Sequence, residues 1–528
     1  MVGVISSASY FLWTNNLQLL FWGLQGDEIT IAAMYNTFAS VGLWSDFAYH
    51  NLPPFYPPAF FWFFGLIGGI LNWNGIKIAK FAAFSFFLVF PIGSYYYQKY
   101  LLKDHLSNNK TLGLVFIFLT PLFIITILDK DLLIGKPYEV ITAVATIFWY
   151  VSLHLKISRN KWNLKQGIIY GLIAGIIFMT YYLWLIFAAI AFLLMGIVEE
   201  KQDRIKYFLS LFKTMLITIF FSLPFILPLI ISYFKNGMES WQTSFFVPNG
   251  LDLWMPIFQL NSINNIIMFF GFSVLIYYRK HIFIKQLLYL LITAFVWWGL
   301  AMTSLLVLKI PFQEFRGFYI LSPSILAISA VYGAIRLWRH FNIDKNKNLS
   351  FLIIVIGILY FASQSVFGFF VDDPVVKMRR VESREANGAI VSLVNYLDKV
   401  PESNSKLTLL TVPQVLAFVP VNHLIYFNQN NNHPASIFSE RYEYLQMLAN
   451  SKSSKDLYEN IKKSSYGDLE RFIFYGDEEN YYLYFHLDKM ISGVEEEKIK
   501  INKNLFSYEY FEKVYEKNGY TVINILEL

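Results

Sequence analysis

Asp27 and Glu28 are adjacent carboxylates at the end of an apolar run, and His50 with the turn Leu52-Pro53-Pro54-Phe55-Tyr56-Pro57-Pro58 follows them. A carboxylate within reach of a hydroxyl can take its proton while the oxygen attacks an electrophilic carbon, and a second carboxylate close by raises the first one's pKa. An acidic pair at the mouth of a hydrophobic segment is costly unless water or a polar cavity meets it, which marks the pair as a site candidate. The alternative is that both carboxylates sit in the first turn of a helix beginning near Ile29, where the helix dipole suits them. Both readings stand on these residues alone.

Two further stretches offer groups for a phosphate. Lys136-Pro137-Tyr138-Glu139 sets a lysine beside a carboxylate at the start of another apolar run, and Gln313-Glu314-Phe315-Arg316 offers a planar guanidinium fork. Arg316 suits a phosphate diester, with Glu314 as its counter-ion. Local ion pairing within each stretch, Lys136 with Glu139 and Glu314 with Arg316, is the plainer explanation. His50 can touch a phosphate or bond the loop backbone.

The elements that must position these groups lie in a membrane. The chain of 528 residues is 56% hydrophobic and 19% aromatic, with apolar runs of spanning length near 3–24, 76–98, 111–128, 138–154, 167–181, 182–198, 207–232, 264–278, 286–308, 317–336 and 350–371. These predict a polytopic α-helical protein of about eleven spans. The start, Met1 to Leu24, lacks a basic first region and a small-residue cleavage site, so it reads as a first membrane helix, weakened by Asn15 and Asn16. The run Ala59 to Leu71 is too short to span and reads as interfacial or re-entrant. Four prolines between Pro53 and Pro58 exclude regular helix there.

Lys and Arg concentrate in loops on one side, which predicts a cytoplasmic side and leaves the candidate loops and everything beyond Val371 outside. Lys77 and Lys80 run against this bias and read as interfacial anchors. Residues 372–528 hold 18 Lys and Arg against 23 Asp and Glu, whereas residues 1–371 hold 25 against 14. This shift predicts a membrane domain, 1–371, and an extracytoplasmic soluble α/β domain, 372–528. In the latter, strands are expected at Leu407–Val412, Leu424–Phe427, Phe472–Tyr475 and Thr521–Ile525. Helices are expected at Glu385–Leu397, Glu440–Leu448 and Tyr508–Glu516.

The absence of cysteine excludes disulfides, thiolate metal sites and a Cys nucleophile. No phosphate-cradling glycine loop, His-rich metal spacing or Ser/His/Asp order is readable, so neither a cofactor nor a metal is expected. The acidic balance of the outward domain argues against nucleic acid.

Asn51-Leu-Pro-Pro-Phe-Tyr-Pro-Pro58, Lys136-Pro-Tyr-Glu139, Met179-Thr-Tyr-Tyr182, His433-Pro-Ala-Ser436 and Tyr510-Phe-Glu-Lys-Val514 together resemble the galactan arabinofuranosyltransferases of actinobacterial cell walls. That family is part of the C superfamily of integral-membrane glycosyltransferases. The resemblance implies a polyprenyl-phosphoryl D-arabinofuranose donor in a cell membrane and inverting transfer to a hydroxyl on the extracytoplasmic face. By it, Asp27 matches the family's first-loop acid, with Glu28 beside it, and Tyr138, Glu139, Tyr181 and Tyr182 join His50, Lys136, Glu314 and Arg316 on the donor side. The acceptor stays open between a glycan, a lipid-linked saccharide and a protein, with Trp241 and Trp254 of a long outward loop as sugar-stacking surfaces or interface anchors. A transporter or flippase of a lipid-linked saccharide is the rival class, for which paired broken helices in inverted repeats are the expected sign. A membrane scaffold is the other rival, and it leaves the acidic loop without a purpose.

Overall fold

The computed structural model describes residues 2–102, 110–128, 130–200, 203–239, 257–308, 312–341, 347–365, 374–400, 405–489 and 493–527. By internal contacts the chain divides into two units. One, here the helical unit, comprises Met1–Asn15, Ala83–Pro224 and Val247–Lys377; the other, the mixed unit, comprises Asn16–Ala82, Phe225–Phe246 and Met378–Leu528.

Helices in chain order are α1 Val2–Thr14, α2 Asp27–Ser40, α3 Ala59–Leu71, α4 Gly75–Leu102, α5 Lys110–Ile127, α6 Lys130–Gly135, α7 Pro137–Ser158, α8 Leu164–Tyr181, α9 Leu183–Val198 and α10 Arg204–Asn236. They continue with α11 Ile263–Tyr277, α12 Ile282–Thr303, α13 Ser322–His340, α14 Lys347–Ser365, α15 Pro374–Arg384, α16 Gly388–Leu397, α17 Phe438–Ala449 and α18 Ser454–Lys462. Among the described residues six helices are long and apolar enough to cross a membrane: Gly75–Leu101, Pro137–Ser158, Leu164–Tyr181, Arg204–Asn236, Ile282–Leu308 and Gly317–His340. Shorter apolar helices accompany them, among them Val2–Thr14, Leu183–Val198 and Ile263–Tyr277. The chain is a polytopic helical membrane protein with a C-terminal α/β domain. The apolar run 3–24 is not one helix: α1 stops at Thr14 and Asn15 and Asn16 form a turn, as expected of side chains that compete for backbone hydrogen bonds.

In the helical unit, α7 is the central element. It is buried along nearly its whole length, from Pro137 to Ile157, and a helix apolar on every side is one enclosed by others. It packs on α8, α9 and α12. Proline at its first position suits a helix start, where the missing N–H has no partner to lose.

In the mixed unit, strands β1 Leu407–Leu410, β2 Asn422–His423, β3 Leu469–Tyr475, β6 Phe511–Lys517 and β7 Tyr520–Ile525 form one sheet in the order β2-β1-β3-β7-β6. Strands β4 Asn480–Lys489 and β5 Gly493–Asn502 form a separate antiparallel pair. Leu409, Leu424, Phe438, Leu445, Phe472, Phe474 and Ile523 share the core under α17 and α18. Three expectations are corrected. The segment Tyr508–Glu516 is not a helix but mostly strand β6. Its register shifts between Lys513 and Tyr515, and Phe511, Val514 and Tyr515 follow one another in the chain at the spacing of a helix face, which makes the segment read as helix by sequence. Leu424–Phe427 is not a strand, since pairing stops at His423, and the expected helix from Glu385 begins only at Gly388, capped by Asn387, whose side chain accepts from Ala389 N–H.

The loop between α2 and α3 belongs to the mixed unit and is held by a buried carboxylate. Asp46 is 1% exposed, and its Oδ1 accepts the backbone N–H groups of Ala48 at 2.9 Å and Tyr49 at 3.1 Å. Burial outweighs those hydrogen bonds and pushes its carboxyl up to about 7. A carboxyl raised on folding binds its proton more tightly in the native state. Its stabilisation is therefore full below the unfolded value near 4 and is lost as pH rises through about 7. Thermal stability of the detergent-solubilised protein should fall between about pH 4 and about pH 7, and Asp46→Asn, which keeps the acceptor and loses the proton, should flatten that slope. An unchanged slope in Asp46→Asn would assign the pH dependence to another group.

Candidate functional site

In the mixed unit Asp27 and Glu28 form the first turn of α2, as the helix-dipole reading expected. Gly26 precedes them at φ +50°, a left-handed conformation that favours glycine. Asp27 is exposed and Glu28 half-buried. Asp27 Oδ1 accepts from the Asn431 amide at 3.3 Å, the same amide reaches Thr30 Oγ1 at 3.1 Å, and the Thr30 hydroxyl bonds that of Tyr426 at 2.9 Å. The carboxylate is thus oriented by a polar chain running into the C-terminal residues while keeping access to water.

The same unit joins two of the sequence motifs. His433 Nδ1 accepts from Ala435 N–H at 3.0 Å, so the ring hydrogen lies on Nε2, which donates to the carbonyl of Pro53 at 2.9 Å. Burial holds the imidazole down at about 3, so it is neutral, in keeping with that tautomer. Its ring meets Phe55 edge-on at 5.3 Å. Tyr49 donates its hydroxyl hydrogen to Asn432 Oδ1, accepts from Tyr426 N–H at 3.0 Å, and lies 4.8 Å under the Arg441 guanidinium. His50 is half-buried, and its backbone N–H donates to Asn422 Oδ1 at 3.1 Å. Neither Asn431 nor His433 had been singled out for this role, since their partners lie hundreds of residues away.

In the helical unit the decisive contact is between Arg316 and Glu139. Arg316 Nη1 lies 3.3 Å from Glu139 Oε2, with the arginine side chain 12% and the glutamate 1% exposed. Sequence proximity suggests local pairs, Lys136 with Glu139 and Glu314 with Arg316; the structure adds a pair across two elements, Arg316 with Glu139. Gln313 Oε1 accepts from Arg316 Nε, and Trp297 Nε1 donates to the Gln313 carbonyl at 2.9 Å. The guanidinium also lies 5.3 Å from the Phe315 ring and 6.0 Å from that of Tyr319. Trp184 Nε1 donates to the Glu139 carbonyl at 2.9 Å, and the rings of Tyr138, Tyr181 and Tyr182 follow one another at 6.1 and 6.5 Å. Gly317 allows the approach: a Cβ there would meet Ala294 Cβ at 2.6 Å. A π-helical turn, Gly317–Leu321, follows, a distortion often found at functional sites. Lys136 is half-buried at the start of α7, and Glu314 is 1% exposed. Trp241 and Trp254 lie outside the described residues. Among the described residues no cluster of His, Cys, Asp and Glu could hold a metal ion.

The sequence profile of the family described as "Arabinofuranosyltransferase N terminal" matches residues 18–356. The chain belongs to this family. No curated protein matches it. Among solved structures, ArnT from Cupriavidus metallidurans bound to undecaprenyl phosphate is similar at TM-score 0.53 and 11% identity, covering 99% of this chain and 96% of that one. The archaeal oligosaccharyltransferase AglB from Archaeoglobus fulgidus, in complex with an inhibitory peptide and a dolichol-phosphate, is similar at TM-score 0.50 and 11% identity, covering 98% of this chain and 79% of that one. At such identity the likeness is one of fold, that of the C-type membrane glycosyltransferases. With the family, it makes this member a membrane glycosyltransferase.

The buried ion pair permits a test that separates packing from binding. Truncating one partner strands a buried charge and costs about 3–5 kcal/mol, whereas replacing both with apolar residues of similar size costs little. Glu139→Ala should therefore lower the unfolding midpoint in detergent sharply, while Glu139→Leu combined with Arg316→Met should recover most of it and still transfer no sugar. Transfer at the native rate by the double variant would make the pair structural only.

Proposed function

We propose that this family member transfers D-arabinofuranose from a polyprenyl-phosphate donor to an acceptor hydroxyl on the extracytoplasmic side, with inversion at the anomeric carbon. The observation that carries the reading is the family match, whose span takes in Asp27, Lys136, Glu139 and Arg316. Support for a lipid-linked donor comes from the two solved relatives, each of which holds a polyprenyl or dolichyl phosphate. The side is argued from the basic loops, which gather on one face.

The proposed chemistry separates the base from the groups that hold the phosphate. The acceptor oxygen bonds to the anomeric carbon as the bond from that carbon to the phosphate oxygen breaks. The hydroxyl proton passes to Asp27, and the electron pair leaves with the polyprenyl phosphate. Arg316, its plane fixed by Glu139 and Gln313, stabilises the charge that develops on the departing phosphate, with Lys136 and His50 contributing to donor binding. Glu28 supports Asp27, and the aromatic rings of Tyr138, Tyr181 and Tyr182 line the donor side. The acceptor is a glycan, a lipid-linked saccharide or a protein.

Purified protein given polyprenyl-phosphoryl arabinofuranose and acceptor should release polyprenyl phosphate. No release with any polyprenyl-phosphoryl pentose would favour a transporter. Asp27→Asn keeps the shape and the Asn431 contact but removes the base, so turnover should drop about 100- to 10,000-fold with donor affinity retained. If Asp27→Asn is active and Glu28→Gln is not, the two roles are exchanged. Arg316→Lys keeps the charge and loses the fork, so both donor affinity and turnover should fall; native values for Arg316→Lys would place the phosphate elsewhere.

A further inference from the structure

At the other end of α7 lies a polar cavity that the transfer reaction does not use. Ser158 is separated from Glu139 by 19 residues of one helix, about 28 Å at 1.5 Å per residue, close to the roughly 30 Å of a bilayer's hydrocarbon core. The cavity at Ser158 therefore lies at the membrane face opposite the Arg316–Glu139 pair. Its volume is about 310 Å³, at the small end of ligand sites. Trp162, Glu200, Asp203, Lys206, Tyr207 and Lys213 supply its chemistry.

Four features of the walls point to the occupant. Two acidic and two basic residues line one space, and among the described residues neither lysine is ion-paired with a carboxylate. Trp162 donates to Thr214 Oγ1 at 3.2 Å and lies 5.8 Å from the Lys213 ammonium, so the tryptophan and Lys213 flank the opening together. Ser158 donates to Glu200, which fixes that carboxylate on the wall. Tyr207, 2% exposed, forms a buried wall of the cavity.

A guest of one sign would leave half of these charges unmatched. We infer that the cavity binds phosphoethanolamine, with the phosphate toward Lys206 and Lys213 and the ammonium toward Glu200 and Asp203, either as a phospholipid headgroup or as the free compound. Exposed Leu164 and Ile168 on α8 and Leu209 and Phe212 on α10 give acyl chains a place beside the mouth. The lipid is the source these residues favour.

The test is binding to the full-length protein in detergent, by native mass spectrometry and thermal shift, and it does not read sugar transfer. Phosphatidylethanolamine should bind and raise the unfolding midpoint, while phosphatidylglycerol, which lacks the ammonium, should bind about tenfold or more weakly. Lys206→Gln combined with Lys213→Gln should weaken phosphatidylethanolamine at least tenfold, the scale of one lost charge-assisted contact. Soluble O-phosphoethanolamine binding as tightly as the lipid would identify the free compound as the guest; failure to compete at millimolar concentration would identify the lipid. Equal binding of phosphatidylethanolamine and phosphatidylglycerol by the native protein would overturn the inference whether or not the variant folds. Unaltered binding by a folded variant would overturn it as well.

Discussion

A guanidinium and a carboxylate buried side by side among apolar helices constrain the surroundings of both. Neither charge is tolerable there alone, so each must arrive with its partner. Glu139 is delivered by the first turn of α7, whose start is fixed by Pro137. Arg316 is delivered just before a π-helical turn that Gly317 lets approach α12. Gln313 and Trp297 complete the guanidinium's setting, and Trp184 secures the peptide carrying Glu139. The enclosure of α7 by α8, α9 and α12 shields this pair from solvent.

The mixed unit solves a different problem. A proline-rich segment cannot satisfy its own backbone, so its carbonyls and N–H groups need partners from elsewhere. Asp46 serves the turn after it, the Pro53 carbonyl accepts from His433, and the Ala48 carbonyl accepts from His423 N–H at 2.8 Å. The C-terminal residues therefore shape the loop that follows the acidic pair. They also reach the pair itself, through Asn431 on Asp27.

How much of this was legible depends on the distance over which the cause acts. The start of α2 was readable because Asp27, Glu28 and the helix dipole act within one turn, and the loop Pro53–Pro58 because proline acts on its own residue and the one before. The helix at Glu440 was equally local, and it forms as α17. Arg316 and Glu139 are 177 positions apart, too far for sequence spacing to pair them. The antiparallel pair β4–β5 was missed because Tyr482 and Tyr484 alternate with Tyr481, Leu483 and Phe485, so that both faces of β4 read as apolar. Its buried face, Tyr481, Leu483, Phe485 and Leu487, becomes distinct only once β5 supplies its charged residues.

Comparing the acidic residues brings the chemistry into focus. Glu139 is 1% exposed and its Oε2 lies against the Arg316 guanidinium, so removing that carboxylate strands a buried charge. Asp27 is exposed, bonded to the Asn431 amide, and placed on the first turn of a helix whose N-terminal dipole steadies a negative charge there. A proton acceptor must be reachable by its substrate hydroxyl, and a group that orients a phosphate clamp must not be. Burial therefore separates two otherwise similar carboxylates: under the proposed reaction the exposed one is placed to accept a proton and the enclosed one to hold the guanidinium, so replacing Glu139 is expected to lower stability and replacing Asp27 to lower turnover.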